Sequence, residues 1–104
     1  MNQQTADNRS ISEMRNLGPA CERDFNAVGI CKAEQLIAMG PEEAFLRMLA
    51  GRKEKGTSAK CCNAAYLYAI YGAIHDVDWR DVPERKKNEF KRLTAELRES
   101  GEFS

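Results

Sequence analysis

The sequence predicts an all-α fold, a small single-domain bundle of five or six helices. Two observations predict it. Apolar residues recur three and four positions apart through most of the chain, which is the spacing of one helix face. No segment of useful length alternates apolar and polar residues as a half-buried strand does. With 104 residues, of which 42% are apolar, the chain has enough material for one core.

The predicted domain occupies most of the chain. Residues 1–9 are polar, with Ala6 as the one apolar residue after the first methionine, and they predict a disordered leader. A single helical domain is expected over residues 10–100. A short tail is expected at 101–104.

The first two predicted helices begin at recognisable signals. Ser10 and Glu13 have the spacing of a capping box, in which each side chain bonds the other residue's backbone N–H. A short helix is therefore expected over 10–15. The next helix is expected over 19–27, because Pro19 suits the first turn of a helix.

Two more helices follow, separated by glycine and proline. A third helix is expected over 32–39, and Gly40 ends it. Pro41 begins a fourth helix, which is expected to end at Gly51. Both boundaries use the rule that proline starts helices and glycine ends them.

The second half contains the predicted centre of the core. Residues 59–74 are apolar nearly all round, so this helix is expected to lie among the others. Asp81 and Glu84 repeat the capping-box spacing before a last helix over 82–99. The predicted core residues are Phe25, Leu36, Phe45, Leu67, Ile70, Ile74, Trp79, Phe90 and Leu93.

Composition excludes several classes of protein. The chain has 16 basic and 16 acidic residues, so it is neither a strongly basic DNA-coating protein nor a polyacidic one. No apolar run approaches the ~20 residues of a membrane-spanning helix. No secretory signal precedes the domain. We therefore expect a cytoplasmic protein with no membrane contact.

Catalytic and metal sites are not predicted. The cysteines Cys21, Cys31, Cys61 and Cys62 form no Cys-x-x-Cys pair, and the single histidine, His75, stands in no ligand-like array with them. No nucleophile motif or phosphate-binding loop is present. We expect reduced thiols, no metal, no cofactor and no enzymatic activity.

The first half carries a helix-hairpin-helix-like (SAM-like) pattern. In Asn16-Leu17-Gly18-Pro19, the apolar Leu17 would plug between two helices, while Asn16 and Gly18 are expected to turn at positive φ. Backbone N–H groups at the start of the next helix could then meet a phosphate. The alternative is a compact structural turn. The residues assigned a structural role in this hairpin and in its repeat at 28–30 are Leu17, Pro19, Val28, Gly29 and Ile30.

A local excess of positive charge lies in residues 51–60, which predict an exposed basic loop. It holds four basic residues against Glu54. Together with the hairpin, this loop supplies the candidate nucleic-acid contacts. These candidates are Arg15, Asn16, Gly18, Ala20, Arg23, Arg52, Lys53, Lys55 and Lys60.

At this point the sequence resembles a known family. The order of Asn16-Leu17-Gly18-Pro19, Val28-Gly29-Ile30, residues 67–74, Trp79 and Val82-Pro83 is similar to the C-terminal domain of the TfoX/Sxy family of bacterial competence regulators. The resemblance covers residues 11–97, as a stand-alone C-terminal domain. Ala20 stands where family members often carry lysine.

The resemblance implies a non-enzymatic regulatory module. It would act through a protein partner, a cyclic-AMP receptor-type transcription factor, in transcriptional control of DNA uptake and transformation. The alternative is weak, sequence-independent nucleic-acid binding through the hairpin and the basic loop. Zero net charge favours the first, because non-specific DNA affinity comes mainly from phosphate neutralisation. The oligomeric state stays open, a homo-oligomer included.

Overall fold

The computed structural model describes residues 7–56 and 62–102, and within these ranges it contains helices and no strand. The all-α prediction is confirmed. The order of elements is a 3-10 helix at Ile11–Glu13, α1 at Pro19–Asn26, α2 at Ala33–Met39, α3 at Pro41–Glu54, α4 at Ala64–His75, a second 3-10 helix at Trp79–Asp81, and α5 at Glu84–Ser100.

The domain begins earlier than the sequence predicted. The carbonyls of Asp7 and Arg9 accept hydrogen bonds from the backbone N–H groups of Glu34 and Ala33, at 3.1 and 2.9 Å. These donors belong to the first turn of α2, where a helix has no carbonyl of its own to offer. Residues 7–9 therefore belong to the fold and are not part of a leader. The rest of that leader, residues 1–6, lies outside the described residues.

One of the two predicted capping boxes is present. The Glu13 carboxylate accepts from the Ser10 backbone N–H at 2.7 Å, but the turn it caps is a 3-10 helix of three residues, shorter than predicted. The prediction of a capping box at Asp81 and Glu84 is wrong, since the residue directly before α5 is Pro83. Proline keeps the preceding residue, Val82, extended, so α5 begins only after Pro83 and Asp81 belongs to the second 3-10 helix.

Gly51 does not end α3, as the sequence predicted. The helix continues through Gly51 to Glu54, and the chain leaves it at Gly56, which has φ +71°. A Cβ at Gly51 would overlap the side chain of Val28. The missing side chain at Gly51 allows Val28, which follows α1, to pack closely against α3. The start of the predicted 51–60 loop is therefore helical.

α4 is the centre of the core. Leu67 and Ile70 are fully buried, as predicted, and α3 and α5 both pack against this helix. The helix begins at Ala64, because the Asn63 side chain accepts from the Tyr66 backbone N–H at 3.0 Å and caps the first turn. The beginning of the predicted 59–74 helix, at 59–61, lies outside the described residues.

Most of the predicted core residues are buried. Phe25, Leu36, Phe45 and Phe90 are inaccessible, while Ile74 and Leu93 are partly buried against the core. Trp79 is the exception, with 44% of its surface exposed. Val82, three residues further along the chain, is buried instead.

No helix of 7–56 or 62–102 combines the length and apolar character needed to cross a bilayer.

Candidate functional site

The first hairpin is held to the far end of α4 by the side chain of Asn16. This residue has φ +72°, as expected, and its amide nitrogen donates to the carbonyl of Val77 at 2.9 Å. Its amide oxygen accepts from the backbone N–H of Trp79 at 3.3 Å. A residue predicted to contact nucleic acid is thus used in bonds within the protein.

Gly72 makes this contact geometrically feasible. It is a buried residue of α4, and a Cβ there would collide with the Asn16 amide nitrogen and with the Val77 carbonyl oxygen. The Val77 backbone N–H also donates to the Gly72 carbonyl at 2.9 Å. We call the arrangement of Asn16, Gly72, Val77 and Trp79 the Asn16 clamp.

The rest of the first hairpin is only partly as predicted. Leu17 is buried, in keeping with a residue that plugs between helices, and Pro19 occupies the first position of α1. Gly18 has φ −123° and ψ −170°, which is extended backbone, so the expected positive φ is wrong there. Asn16 alone provides the left-handed turn within this hairpin. Nothing would lie within 4 Å of a Cβ at Gly18.

A carboxylate lies at the end of α1 where a phosphate would bind. Glu22 is in the first turn of the helix and accepts from the Ser12 backbone N–H at 3.0 Å. This hydrogen bond holds the pKa of Glu22 below its ordinary value. Pro19 has no N–H to donate. A ligand phosphate approaching the exposed Ala20 would therefore meet a fixed negative charge.

The second hairpin, Val28-Gly29-Ile30, has a different character. Gly29 is exposed with φ +86°, and the buried Ile30 donates its N–H to the Phe25 carbonyl at 2.9 Å. The hairpin opens onto a shallow depression of about 510 Å³ beside α2 and α3. We call this depression the apolar groove. Its wall is formed by Val28, Ile30, Gln35, Ala38, Met39 and Arg47.

Three of the predicted basic contacts come together in a second, smaller cavity. Arg23 of α1 and the α3-end residues Arg52 and Lys55 line a space of about 160 Å³, together with Asp24. Arg52 donates to Asp24 at 2.8 Å, and the Tyr66 hydroxyl donates to the same carboxylate at 3.2 Å. We call this space the cationic cleft. The pairing of Asp24 with Arg52 was not predicted from the sequence, because the contact joins residues 28 positions apart.

The other predicted basic residues lie apart from this cleft. Lys53 is an exposed residue of α3 and does not line the cavity. Lys60 lies outside the described residues. Arg15 is exposed and close enough to Asp78 to lower its pKa. The nine predicted nucleic-acid residues therefore do not form one surface.

Trp79 stands between charged neighbours. Asp78 caps the second 3-10 helix by accepting from the Arg80 backbone N–H at 2.8 Å, and it also binds the Arg80 guanidinium at 2.9 and 3.0 Å. The hydrogen bond from the Arg80 side chain is the largest cause that holds the pKa of Asp78 far below its ordinary range. Lys87 of α5 donates to the Arg80 carbonyl at 3.1 Å. The backbone around the exposed indole is thus fixed from several sides.

Comparison with known protein families identifies the family of this chain. The profile described as "TfoX C-terminal domain" matches residues 7–94. The chain belongs to the TfoX C-terminal domain family. The match begins at Asp7, three residues before the predicted boundary of 10. This is a regulatory-type domain family and not a known enzyme family.

A solved structure has a similar fold. The crystal structure of an uncharacterized protein from Listeria monocytogenes is similar, with a TM-score of 0.73 and 30% sequence identity. The alignment covers 86% of this chain and 94% of that one. No curated protein sequence matches the chain.

The thiols of this TfoX C-terminal domain lie in separate environments. Cys21 is partly buried, Cys31 is exposed and Cys62 is buried, and burial raises the pKa of the Cys62 thiol. Cys61 lies outside the described residues. Among the residues described, no three histidine, cysteine or acidic side chains converge on one point. His75 stacks on Tyr71, with ring centres 4.2 Å apart, at the end of α4.

Proposed function

We propose that this TfoX C-terminal domain is a non-enzymatic regulatory module that acts by binding a protein partner in the transcriptional control of DNA uptake and transformation. The observation that carries the proposal is the Asn16 clamp. Asn16, the polar side chain of the hairpin that was predicted to contact nucleic acid, is bonded to the backbone of Val77 and Trp79 instead. The hairpin of this chain is therefore better suited to organise the fold than to hold a phosphate.

The charges at the hairpin support the same proposal. Glu22 lies in the first turn of α1 and is kept ionised by its bond to Ser12. The whole chain has 16 basic and 16 acidic residues. A polyanion such as DNA would gain little binding free energy at such a surface, since non-specific affinity for DNA comes from the neutralisation of its phosphates. A protein surface of mixed charge makes a better partner.

Exposed apolar side chains are also available for a partner. Within the described residues, Ile37 of α2 and Trp79 are the large apolar residues with the most exposure, at 41% and 44%. Tryptophan is enriched among the residues that contribute most to protein–protein binding. The proposed partner is a cyclic-AMP receptor-type transcription factor, as the family resemblance implies.

One binding experiment tests the partner. A labelled promoter duplex from a DNA-uptake gene is titrated with the purified chain, with the purified transcription factor of the same organism, and with both together. Fluorescence anisotropy is recorded at physiological salt. We expect the chain alone to leave the anisotropy unchanged and to increase the occupancy of the promoter by the transcription factor. If adding the chain leaves the titration curve of the transcription factor unchanged, the proposal is contradicted.

A variant separates the partner contact from general effects. Ile37→Glu places a charge on exposed α2 surface, and we expect it to remove the gain in promoter occupancy. Ala50→Glu, at an exposed position of α3, is the matched control and should keep the gain. Both variants add one negative charge, so a purely electrostatic effect would change them equally.

A second candidate function is weak, sequence-independent nucleic-acid binding at the cationic cleft. The observation that favours it is the convergence of Arg23, Arg52 and Lys55 around one cavity. Asp24 occupies Arg52 and reduces the local excess of charge. A site with so few free cations would bind a duplex at ~10⁻⁴ M or more weakly, with an affinity that falls as salt is added.

The cleft is tested with the chain alone and a labelled duplex over a salt series. We expect Arg23→Glu combined with Lys55→Glu to remove any binding seen at low salt. Arg85→Glu combined with Lys91→Glu, at exposed positions of α5, changes the net charge by the same amount. This variant should keep most of the binding. Equal losses in the two double variants would show that net charge acts and the cleft does not.

A further inference from the structure

A strong excess of positive charge lies in the first half of α5. Residues 85–92 contain five basic side chains and one acidic side chain. Arg85, Asn88, Lys91 and Arg92 are exposed, and their spacing places them on the side of the helix opposite the buried Phe90. We call these four exposed residues the basic face of α5. It shares no residue with the apolar groove or with the cationic cleft.

The cations of the basic face are not neutralised by neighbouring side chains. Among the residues that the structure describes, Arg85, Lys91 and Arg92 form no ion pair. Glu89 lies four positions after Arg85, but its carboxylate pairs with Lys86 at 3.3 Å. The positive charge of this face is therefore available to a ligand outside the molecule.

The order of charges along α5 is opposite to the order that stabilises a helix. The helix dipole favours acidic side chains near the N-terminus and basic side chains near the C-terminus. α3 follows this rule, with acidic residues in its first turn and basic residues in its last. In α5, residues 84–92 contain five basic and two acidic side chains, whereas residues 93–100 contain one basic and two acidic. The cations of the first half are thus not explained by helix stability, which indicates a role in binding.

We propose that the basic face of α5 docks an acidic helix of the protein partner. The inference deepens the proposed function and rests on it, because it names the chemistry of that partner. Arg85 and Arg92 are seven positions apart, which corresponds to ~10 Å along a helix. Carboxylates that recur three, four and seven positions apart on one face of a partner helix have matching separations. The two helices can therefore meet with each cation facing a carboxylate.

The two ends of the basic face favour a short acidic helix over a nucleic acid. Glu84 is exposed at one end, and Glu96 and Glu99 are exposed beyond the other. The positive stretch is therefore only ~10 Å long and lies between negative charges. The phosphates of a duplex continue in both directions and would meet these carboxylates. A partner helix with one acidic stretch avoids this repulsion.

The promoter experiment locates the contact on the chain. Arg85→Gln combined with Arg92→Gln removes two charges at exposed positions, and we expect the concentration of chain needed for the gain in occupancy to rise about fivefold. Arg85→Lys combined with Arg92→Lys retains both charges and should retain most of the gain. Lys32→Glu, at an exposed position before α2, changes the net charge by the same amount as the glutamine variant and should behave like the unchanged chain.

A peptide probe tests the basic face without the transcription factor. The probe is a labelled alanine-based helix of about 20 residues with glutamates three and four positions apart along one side. Its control has the same composition with the glutamates distributed around the helix. In fluorescence anisotropy at low salt, we expect the unchanged chain to bind the probe more tightly than the control. The glutamine variant should lose this preference, and added salt should weaken the binding. If the probe binds in this way while the chain leaves promoter occupancy unchanged, the docking surface is supported and the proposed function has failed.

Other results overturn the inference. If the glutamine variant raises promoter occupancy as well as the unchanged chain does, the proposed function stands and the docking surface is wrong. Equal binding of the two peptides would also contradict an acidic helix as the ligand. A labelled duplex whose binding is lost in the glutamine variant would identify a nucleic acid instead. Sedimentation velocity that shows self-association, removed by salt and by the same variant, would identify a second copy as the occupant.

Discussion

The two hairpins of this domain both pack against a glycine of a core helix, but they use that contact differently. Asn16 of the first hairpin lies against Gly72 of α4, and Val28 of the second lies against Gly51 of α3. At the first contact the Asn16 amide fills the space that a side chain at Gly72 would occupy. The same amide bonds the backbone of Val77 and Trp79. At the second contact a methyl group of Val28 fills the space.

This difference shows that similar turn sequences can have different structural roles. At the second hairpin, the unusual backbone is carried by Gly29, which has no side chain to add a contact. At the first hairpin it is carried by Asn16, whose side chain also bonds the backbone of Val77 and Trp79. A left-handed asparagine can thus combine the turn with a tertiary contact, whereas a left-handed glycine supplies the turn alone.

The largest effect should come from filling the space at the clamp. Gly72→Ala would push a Cβ into the Asn16 amide and a backbone carbonyl, so we expect a loss of about 2–4 kcal/mol in the free energy of unfolding. Gly51→Ala meets only the Val28 side chain and gains helix propensity, so its change should stay within about 1.5 kcal/mol. Urea denaturation followed by circular dichroism compares the two. Equal losses would show that the hairpins do not differ.

Replacing Asn16 separates its two roles. Asn16→Ala loses the bonds to Val77 and Trp79 and places alanine at positive φ, so a loss of about 2–3 kcal/mol is expected. Asn16→Gly loses the same bonds but accepts the backbone conformation, and should lose about 1–2 kcal/mol. The same denaturation experiment measures both. If the glycine variant is as stable as the unchanged chain, the clamp bonds contribute nothing.

Gly29 offers the matched test at the second hairpin. Gly29→Ala should lose about 1 kcal/mol, because the left-handed backbone is unfavourable for alanine while nothing lies within 4 Å of its Cβ. Thermal denaturation in parallel with Asn16→Ala measures the difference. A loss as large as that of the Asn16 variant would mean that the second hairpin has contacts beyond its backbone conformation.

Most of the fold was predictable because its signals are local. Apolar spacing and proline or glycine positions placed α1 and α2 to within about a residue or two of their observed ends. The errors have non-local causes. Gly51 resembles a helix end, yet it is required by Val28, which is 23 positions away in the chain. The fold of Asp7 and Arg9 onto α2 likewise depends on a contact between distant segments.

The candidate site was less predictable for the same reason. Residue types alone suggested that Asn16 and Arg52 face a phosphate, but their partners Val77 and Asp24 are 61 and 28 positions away. Arg23, Arg52 and Lys55 line one cavity, whereas Arg15 lies near Asp78 and does not line it. Trp79 was predicted to belong to the core, whereas it lies in a 3-10 helix with 44% of its surface exposed.

The smallest effect is expected at Gly18, which looks like the most constrained residue of the first hairpin. Its backbone is extended and nothing would lie within 4 Å of a Cβ, so Gly18→Val should lose less than about 1 kcal/mol in the free energy of unfolding, mainly because valine is a poorer N-cap residue than glycine. The extended conformation before Pro19 is one that valine adopts readily. Urea denaturation of Gly18→Val and Asn16→Ala, measured in parallel, should therefore show a much smaller loss in the free energy of unfolding for Gly18→Val.

The same variant also tests the hairpin as a phosphate contact. Because Gly18→Val leaves the fold intact, any loss of duplex binding at low salt would report a ligand that approaches this backbone closely. We expect the affinity to change by less than about twofold, since Glu22 already places an ionised carboxylate in the first turn of α1. A loss of binding in Gly18→Val without one in the Arg23→Glu and Lys55→Glu variant would instead move the nucleic-acid contact from the cationic cleft to the hairpin.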